Sequence, residues 1–174
     1  MQKLDEPAES NGFQVSHADL LLTSYRHLIG RDLLPDMQNT QNLLLTVREL
    51  YFAPFVVLSH DGGEDPVFTY ANLTAQILFA MPWHEIVGLP SRYSAEPMVR
   101  EERQRLLDTV SRQGYIDDYR GVRIARDGRR FEIHQATVWN LLDHAGQIQG
   151  QAATFAAWTE LAELAPLVQR HALE

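Results

Sequence analysis

Three β-rich segments, Tyr115 to Ala125, Arg130 to Leu142 and Gln147 to Phe155, are separated only by the turn signals Asp127-Gly128 and His144-Ala145-Gly146. Such short turns join antiparallel neighbours, because parallel neighbours need a crossover of about a dozen residues or more. The stretch therefore predicts a three-stranded antiparallel unit. Upstream, Phe55-Val56-Val57-Leu58 and Val67-Phe68-Thr69-Tyr70 flank the turn-rich run Ser59 to Pro66 and read as a hairpin. Helical patterns fill the interval between the two blocks. Ala71 to Phe79 carries Asn72 as a cap, a short helix runs from Pro82-Trp83 to Gly88, and a longer one follows Pro97 with Val99, Leu106, Leu107 and Val110 inward, ending at Gly114. The order predicts an α+β domain over residues 54–156, a five-stranded antiparallel sheet with a helical crossing on one face.

The flanks read differently. Residues 1–15 are polar, with Pro7, Asn11 and Gly12, and predict a disordered tail. Residues 16–53 predict an N-terminal helical extension. Its first helix is capped by Ser16, carries Leu21, Tyr25, Leu28 and Ile29 on one stripe and ends at Gly30; its second starts around Asp36, carries Leu43, Leu44, Val47, Leu50 and Tyr51, and stops before Pro54. Residues 157–174 predict a closing C-terminal helix, Trp158 to His171, with Leu161, Leu164, Leu167 and Val168 inward. The N-terminal stripes need a cover, which the sheet, the other helix or a second copy can supply. A homodimer is the expectation.

Charge and cysteine usage narrow the function classes. With 15 basic and 23 acidic side chains the net charge is −8, which disfavours nucleic acid and anionic membrane surfaces as partners. The chain has no cysteine, which removes disulfides, thiolate zinc sites and thiol nucleophiles. No apolar stretch approaches the roughly 20 residues that span a bilayer. The N-terminus, Met1 to Pro7, has no apolar signal core, so a cytoplasmic location is expected.

Tyr70-Ala71-Asn72 with Ala75 and Leu78-Phe79 is similar to the pattern that closes the second strand of PAS domains. Gly88 to Pro97, Tyr119-Arg120-Gly121, Asp127-Gly128-Arg129, Val138-Trp139-Asn140 and Gly150-Gln151-Ala152 together resemble the MEKHLA family of the PAS superfamily. That family comprises small stand-alone bacterial proteins, the type matched here, and the C-terminal domain of plant homeodomain-leucine-zipper factors. The resemblance, over about residues 17 to 158, implies a sensory or regulatory domain that binds a small molecule, a protein partner or both, and signals through its flanking helices. It carries over no catalytic residue, and an unknown protein partner in trans is implied. The alternative is a ligand-free protein–protein interaction and dimerisation module.

Light-sensing relatives place a flavin-attacking cysteine where this chain has Ser91, so thiol-adduct photochemistry is excluded. Arg92 resembles the arginine that meets the flavin phosphate in those relatives; its other reading is a salt bridge to Glu85, Glu96 or Glu101. Pro90, Ser91 and Ala95 depart from the flavin motif, and no cofactor is expected, flavin and haem being the exceptions that would show at once as absorption bands. The pocket walls implied by the fold are Phe79, Trp83, Arg92, Tyr93, Ile133, Gln135, Thr137 and Trp139. Period two puts Ile133, Gln135, Thr137 and Trp139 on one face with Phe131 and Leu141. Gln135 and Thr137 need partners there, from ligand, water or neighbouring protein groups.

Other chemistry is thinly represented. His60, Asp61, Glu64 and Asp65 offer oxygen-rich metal chemistry, yet two glycines and a proline in the same stretch read as an exposed turn, and no metal is expected. Ser59 and His60 are adjacent and point to opposite faces of a strand, so they form no nucleophile and base. Arg92, Tyr93 and His134 are the remaining raw material for acid–base work. No catalytic residues are assigned, and the chain is read as a non-enzyme.

Overall fold

A computed structural model describes residues 2–35, 42–95 and 97–162, with backbone alone at 97–99. Strands β1 (Val56–Asp61), β2 (Phe68–Ala71), β3 (Tyr115–Ile124), β4 (Arg130–Leu142) and β5 (Ile148–Phe155) form one sheet in the order β2-β1-β5-β4-β3. All of its pairings are antiparallel. The tight turns dictate the β3-β4-β5 meander: Gly128 N–H closes on Ala125 O at 3.0 Å, and Gly146 N–H on Asp143 O at 2.9 Å.

The inner face is crossed by α3 (Leu73–Phe79), α4 (Trp83–Ile86), a 3-10 turn at Ser91–Ser94, and α5 (Pro97–Gln113). Helix α5 is held down by side-chain amides from the sheet. Asn140 Nδ2 donates to Val110 O at 3.0 Å and Gln151 Nε2 to Leu107 O at 3.0 Å. The outer face is covered by α1 (Val15–Ile29), whose Tyr25 ring meets Trp139 edge-on at 4.9 Å. The Ser24 hydroxyl accepts from Leu142 N–H at 2.8 Å, which pins α1 to the end of β4. Helix α2 (Leu43–Tyr51) packs on α1 and is capped by Asn42, which accepts from Leu44 N–H and Leu45 N–H. Its start expected at Asp36 lies outside the described residues. The sheet is thus the middle of three layers.

Asn72 joins these layers at one point. It is fully buried; its Oδ1 accepts from Val57 N–H (3.1 Å) and Ala75 N–H (3.1 Å), while Nδ2 donates to Phe55 O (2.8 Å) and Leu50 O (3.2 Å). One amide therefore caps α3, completes the start of β1 and anchors the last turn of α2.

Two expectations for the flanks are corrected. Residues 2–14 are not a loose tail: Phe13 is buried in the core, Tyr51 hydroxyl donates to Glu6 Oε1 at 2.7 Å, and the Trp83 indole N–H donates to Leu4 O at 2.8 Å. A buried indole and a buried phenol each require a partner, and this segment supplies both. The chain from Trp158 does not begin a helix either. A sixth strand, β6 (Ala157–Glu160), pairs Trp158 with Ile133 and Glu160 with Phe131. It continues β5 in the same register, Thr137 facing Thr154 and His134 facing Ala157, and satisfies the stretch of β4 that β5 does not reach. Leu164, Leu167 and Val168 lie outside the described residues.

Strand β4 does not keep its alternation. Gln135 sits in the left-handed region (φ 51°), and the pairing with β3 slips there, Gly121 facing Ile133 but Tyr119 facing Ala136. Asp118 (φ 55°) makes the compensating slip on β3, where Ile116 again faces Val138. These are β-bulges, and one extra residue exchanges the faces of everything beyond it.

Candidate functional site

The bulge decides which side chains meet the helices. Before it, Phe131 and Ile133 face inward, Phe131 meeting Phe79 edge-on at 5.2 Å. After it, Val138 and Asn140 face inward, and Trp139 lies against α1 on the opposite side. Expectation put Ile133, Gln135, Thr137 and Trp139 on one pocket wall. The structure separates them: Ile133 lines an inner cavity, Gln135 is exposed, Thr137 is buried beside Trp139's side of the strand, and Trp139 belongs to the outer layer.

That cavity, about 60 Å³, lies between α3, α5 and the inner sheet face. Phe79, Phe155, Val138 and Leu107 give it apolar walls, while His60, Arg103, Arg123 and Gln151 give it polar ones. Other expected wall residues lie elsewhere. Trp83 is buried against Tyr70 (5.6 Å) and Tyr51 (6.5 Å) under the N-terminal segment. The 3-10 turn sends Ser91 and Ser94 inward and Arg92 and Tyr93 outward, Tyr93 being 49% exposed. Arg92 makes a two-point contact with Asp65, Nε to Oδ1 at 3.0 Å and Nη2 to Oδ2 at 3.2 Å, and lies over the Tyr93 ring. Among the described residues its partner is neither Glu85, which pairs with Arg126, nor Glu101; Glu96 lies outside the described residues.

The residues that sequence reasoning missed are Arg103, Arg123, Gln151 and His60. Arg103 was within reach, since it falls four residues before Leu107 and seven before Val110, on the apolar stripe of α5. A charged residue at a stripe position is the signal. It is 7% exposed, its Nη2 donates to Ser91 Oγ, and burial, together with the nearby Arg123 charge, lowers its pKa to about 10. It still carries its charge at neutral pH. Gln151 is 5% exposed; Nε2 donates to Leu107 O (3.0 Å) and Asn140 Oδ1 (3.1 Å), which fixes the amide orientation and leaves Oε1 without a partner.

His60 donates from Nδ1 to Asp61 O at 2.7 Å, and burial lowers its pKa to about 4. His17, on α1, shares a hydrogen bond with Ser59 Oγ at 2.9 Å and is lowered by burial to about 4 as well. Unfolded, both take up protons near 6.5; folded, they refuse them until about 4. The stability they contribute is complete above pH 6.5 and is lost as pH falls from 6.5 toward 4. The melting temperature should accordingly drop across that window, and His17→Gln with His60→Gln should flatten the profile. A double variant that follows the parent slope between pH 6.5 and 4.5 contradicts the assignment.

The turn after β1 holds no ion cluster. Asp61 Oδ1 accepts from Gly63 N–H and Val67 N–H, and Asp65 is taken up by Arg92. Among the described residues, no three His, Asp or Glu side chains are grouped to hold a metal. His134 hydrogen-bonds Thr159 Oγ1 at 2.7 Å across β4 and β6, away from Arg92 and Tyr93.

Flavin, the cofactor suggested by light-sensing relatives, does not fit these residues. Pockets for ligands of drug size measure about 300 to 1,000 Å³, against about 60 Å³ here. The phosphate-binding arginine of that motif is turned outward onto Asp65, and Ser91 is occupied by Arg103.

Known proteins bear this geometry out at the level of fold. A PAS domain from Colwellia psychrerythraea superposes with a TM-score of 0.58 at 13% identity, over 68% of this chain and 96% of that one. A light-oxygen-voltage domain studied with a flavin analogue gives 0.54 at 17% identity, over 68% of this chain and 86% of its own. An RNA-binding light-oxygen-voltage receptor gives 0.54 at 15% identity, over 74% of this chain and 35% of that one. No curated protein matches in sequence. The MEKHLA domain profile matches residues 15–160, which takes in α1, α2, the whole sheet and the helical crossing. On that match, the chain belongs to the MEKHLA domain family, built on the PAS fold.

Proposed function

We propose that this MEKHLA domain is a non-enzymatic sensory or regulatory module that takes a small molecule between α5 and the inner sheet face and reports its presence through α1 and α2. The observation that carries the proposal is the cavity itself, walled by rings and aliphatic chains yet bordered by a buried guanidinium and a buried, half-satisfied amide. A packed core has no use for either. The route outward is short. Val138 lines the cavity while its neighbour Trp139 carries α1, so displacement of β4 on one side is felt on the other.

No resident cofactor is part of the proposal. No described helix is long and apolar enough to cross a membrane, and a cytoplasmic location is proposed. Homodimerisation and a protein partner in trans are proposed through α2, where Leu43, Leu44, Leu45 and Phe52 are 42% to 55% exposed.

The test is a thermal-shift screen of small metabolites, with amide hydrogen exchange measured on any hit. A saturable stabiliser that also slows exchange in α1 supports the proposal. A stabiliser without effect on α1 leaves binding and removes signalling. The small volume of the cavity, about 60 Å³, favours one second reading, a ligand-free interaction module. That reading predicts no hit, and dimers that dissociate when Leu44 and Phe52 become Ser.

A further inference from the structure

Arg103 is an unusual side chain to find in an inner layer. Burying a guanidinium costs several kcal/mol unless an anion or several acceptors compensate it. Here, among the described residues, it forms no ion pair, and its hydrogen bonding is limited to Ser91 Oγ. Arg123 borders the same cavity, also without a carboxylate partner among the described residues; Nη1 donates to Val122 O at 2.8 Å and Nη2 reaches Tyr119 hydroxyl at 3.4 Å. Two cations facing one small space call for a negative charge inside it.

Gln151 adds a second requirement. Its Nε2 is committed to Leu107 O and Asn140 Oδ1, so the unpartnered Oε1 remains as a neutral acceptor in the cavity wall. A ligand that satisfies both walls carries an anionic end and a hydroxyl or amide donor. The apolar remainder of the lining disfavours a dianion such as phosphate, whose desolvation cost is higher. Volume sets the size. A water needs about 10–15 Å³ of such space, so about 60 Å³ holds a molecule of a few heavy atoms.

We propose that the cavity of this domain is a site for a small hydroxycarboxylate of the glycolate or lactate class, its carboxylate on Arg103 and its hydroxyl donating to Gln151 Oε1. This rests on the ligand-binding reading above and names the ligand class. The carboxylate takes the place of the missing counter-ion, with Arg123 adding to the field and Ser91 holding the guanidinium in aim. Phe79, Val138 and Phe155 then exclude water around the pair, which strengthens it relative to a surface ion pair.

The experiment is isothermal titration at constant ionic strength with sodium lactate, sodium glycolate, sodium propionate, propane-1,2-diol and inorganic phosphate. Lactate or glycolate should saturate one site, about fivefold or more tighter than propionate, which lacks the donor. Arg103→Met should weaken that binding by about tenfold or more, the effect of removing a charged hydrogen-bond partner. Should Arg103→Met fail to fold, Ala153→Val serves instead. It fills the wall opposite Leu58 and Val138, leaves the charges intact, and should abolish binding. Diol binding as well as lactate overturns the charge assignment but keeps the cavity as a ligand site. Phosphate preferred over lactate overturns the carboxylate class. Silence from all five probes overturns the hydroxycarboxylate inference, and the wider binding reading falls with it if the metabolite screen is silent too.

Discussion

Replacing Asn72 with Ala should cost this domain about 3–5 kcal/mol, the largest loss expected from any single substitution in it. The substitution leaves Val57 N–H and Phe55 O without this partner inside the core, takes one donor from Leu50 O, which keeps Ala53 N–H, and removes the cap of α3 at Ala75. Each orphaned buried group costs about 1–3 kcal/mol, and water has no path to a residue that is fully buried. Aspartate is no remedy, since it keeps the acceptor, deletes both donors and adds a buried charge. Urea unfolding monitored by tryptophan fluorescence measures the loss. A midpoint shift worth less than about 1 kcal/mol would show that the amide is not the joint between the three layers.

Inserting one alanine between Ala136 and Thr137 should do more damage still. With one more residue beyond the bulge, Thr137, Trp139 and Leu141 turn toward α5 while Val138 and Asn140 turn toward α1. Trp139 then loses Tyr25, and Asn140 loses Val110 O, in a single step. A change of that kind consumes most of the roughly 5–15 kcal/mol that holds a domain together, so the insertion variant should show no dispersed amide spectrum. Substitution at the bulge itself is a different matter. Gln135→Gly supplies the left-handed conformation without a Cβ and should fold at least as well as the parent. An insertion variant with the parent melting temperature contradicts this assignment of faces along β4 outright.

The contrast explains what the chain did and did not disclose in advance. The antiparallel order was legible because Asp127-Gly128 and His144-Ala145-Gly146 are local signals that leave few alternatives, and Asn72 advertised itself as a cap. The face of each β4 residue was not legible. A bulge marked by glycine or asparagine is easy to suspect, whereas Gln135 and Asp118 give no such warning, and period-two reasoning carries straight through them. So four of the expected wall residues were sought on one face although the strand divides them. The N-terminal segment was misread for a related reason. Its polarity is real, but its order depends on distant groups, the Trp83 indole and the Tyr51 hydroxyl, that only the fold brings near. Arg92 and Tyr93 drew attention because of their motif, whereas Arg103, four residues before a buried leucine, had the better physical claim.

Helix α1 is seated on the outer face of the sheet by Tyr25 on Trp139, Ser24 on Leu142 and His17 on Ser59. Any partner seeking that face must evict the helix first. Undocking and association are then one linked equilibrium, so whatever tightens β4 against α1 raises the threshold concentration at which a visitor can settle on the vacated surface. The domain in effect wears its own competitor, and its response is tuned by how firmly that helix sits rather than by the strength of the final contact.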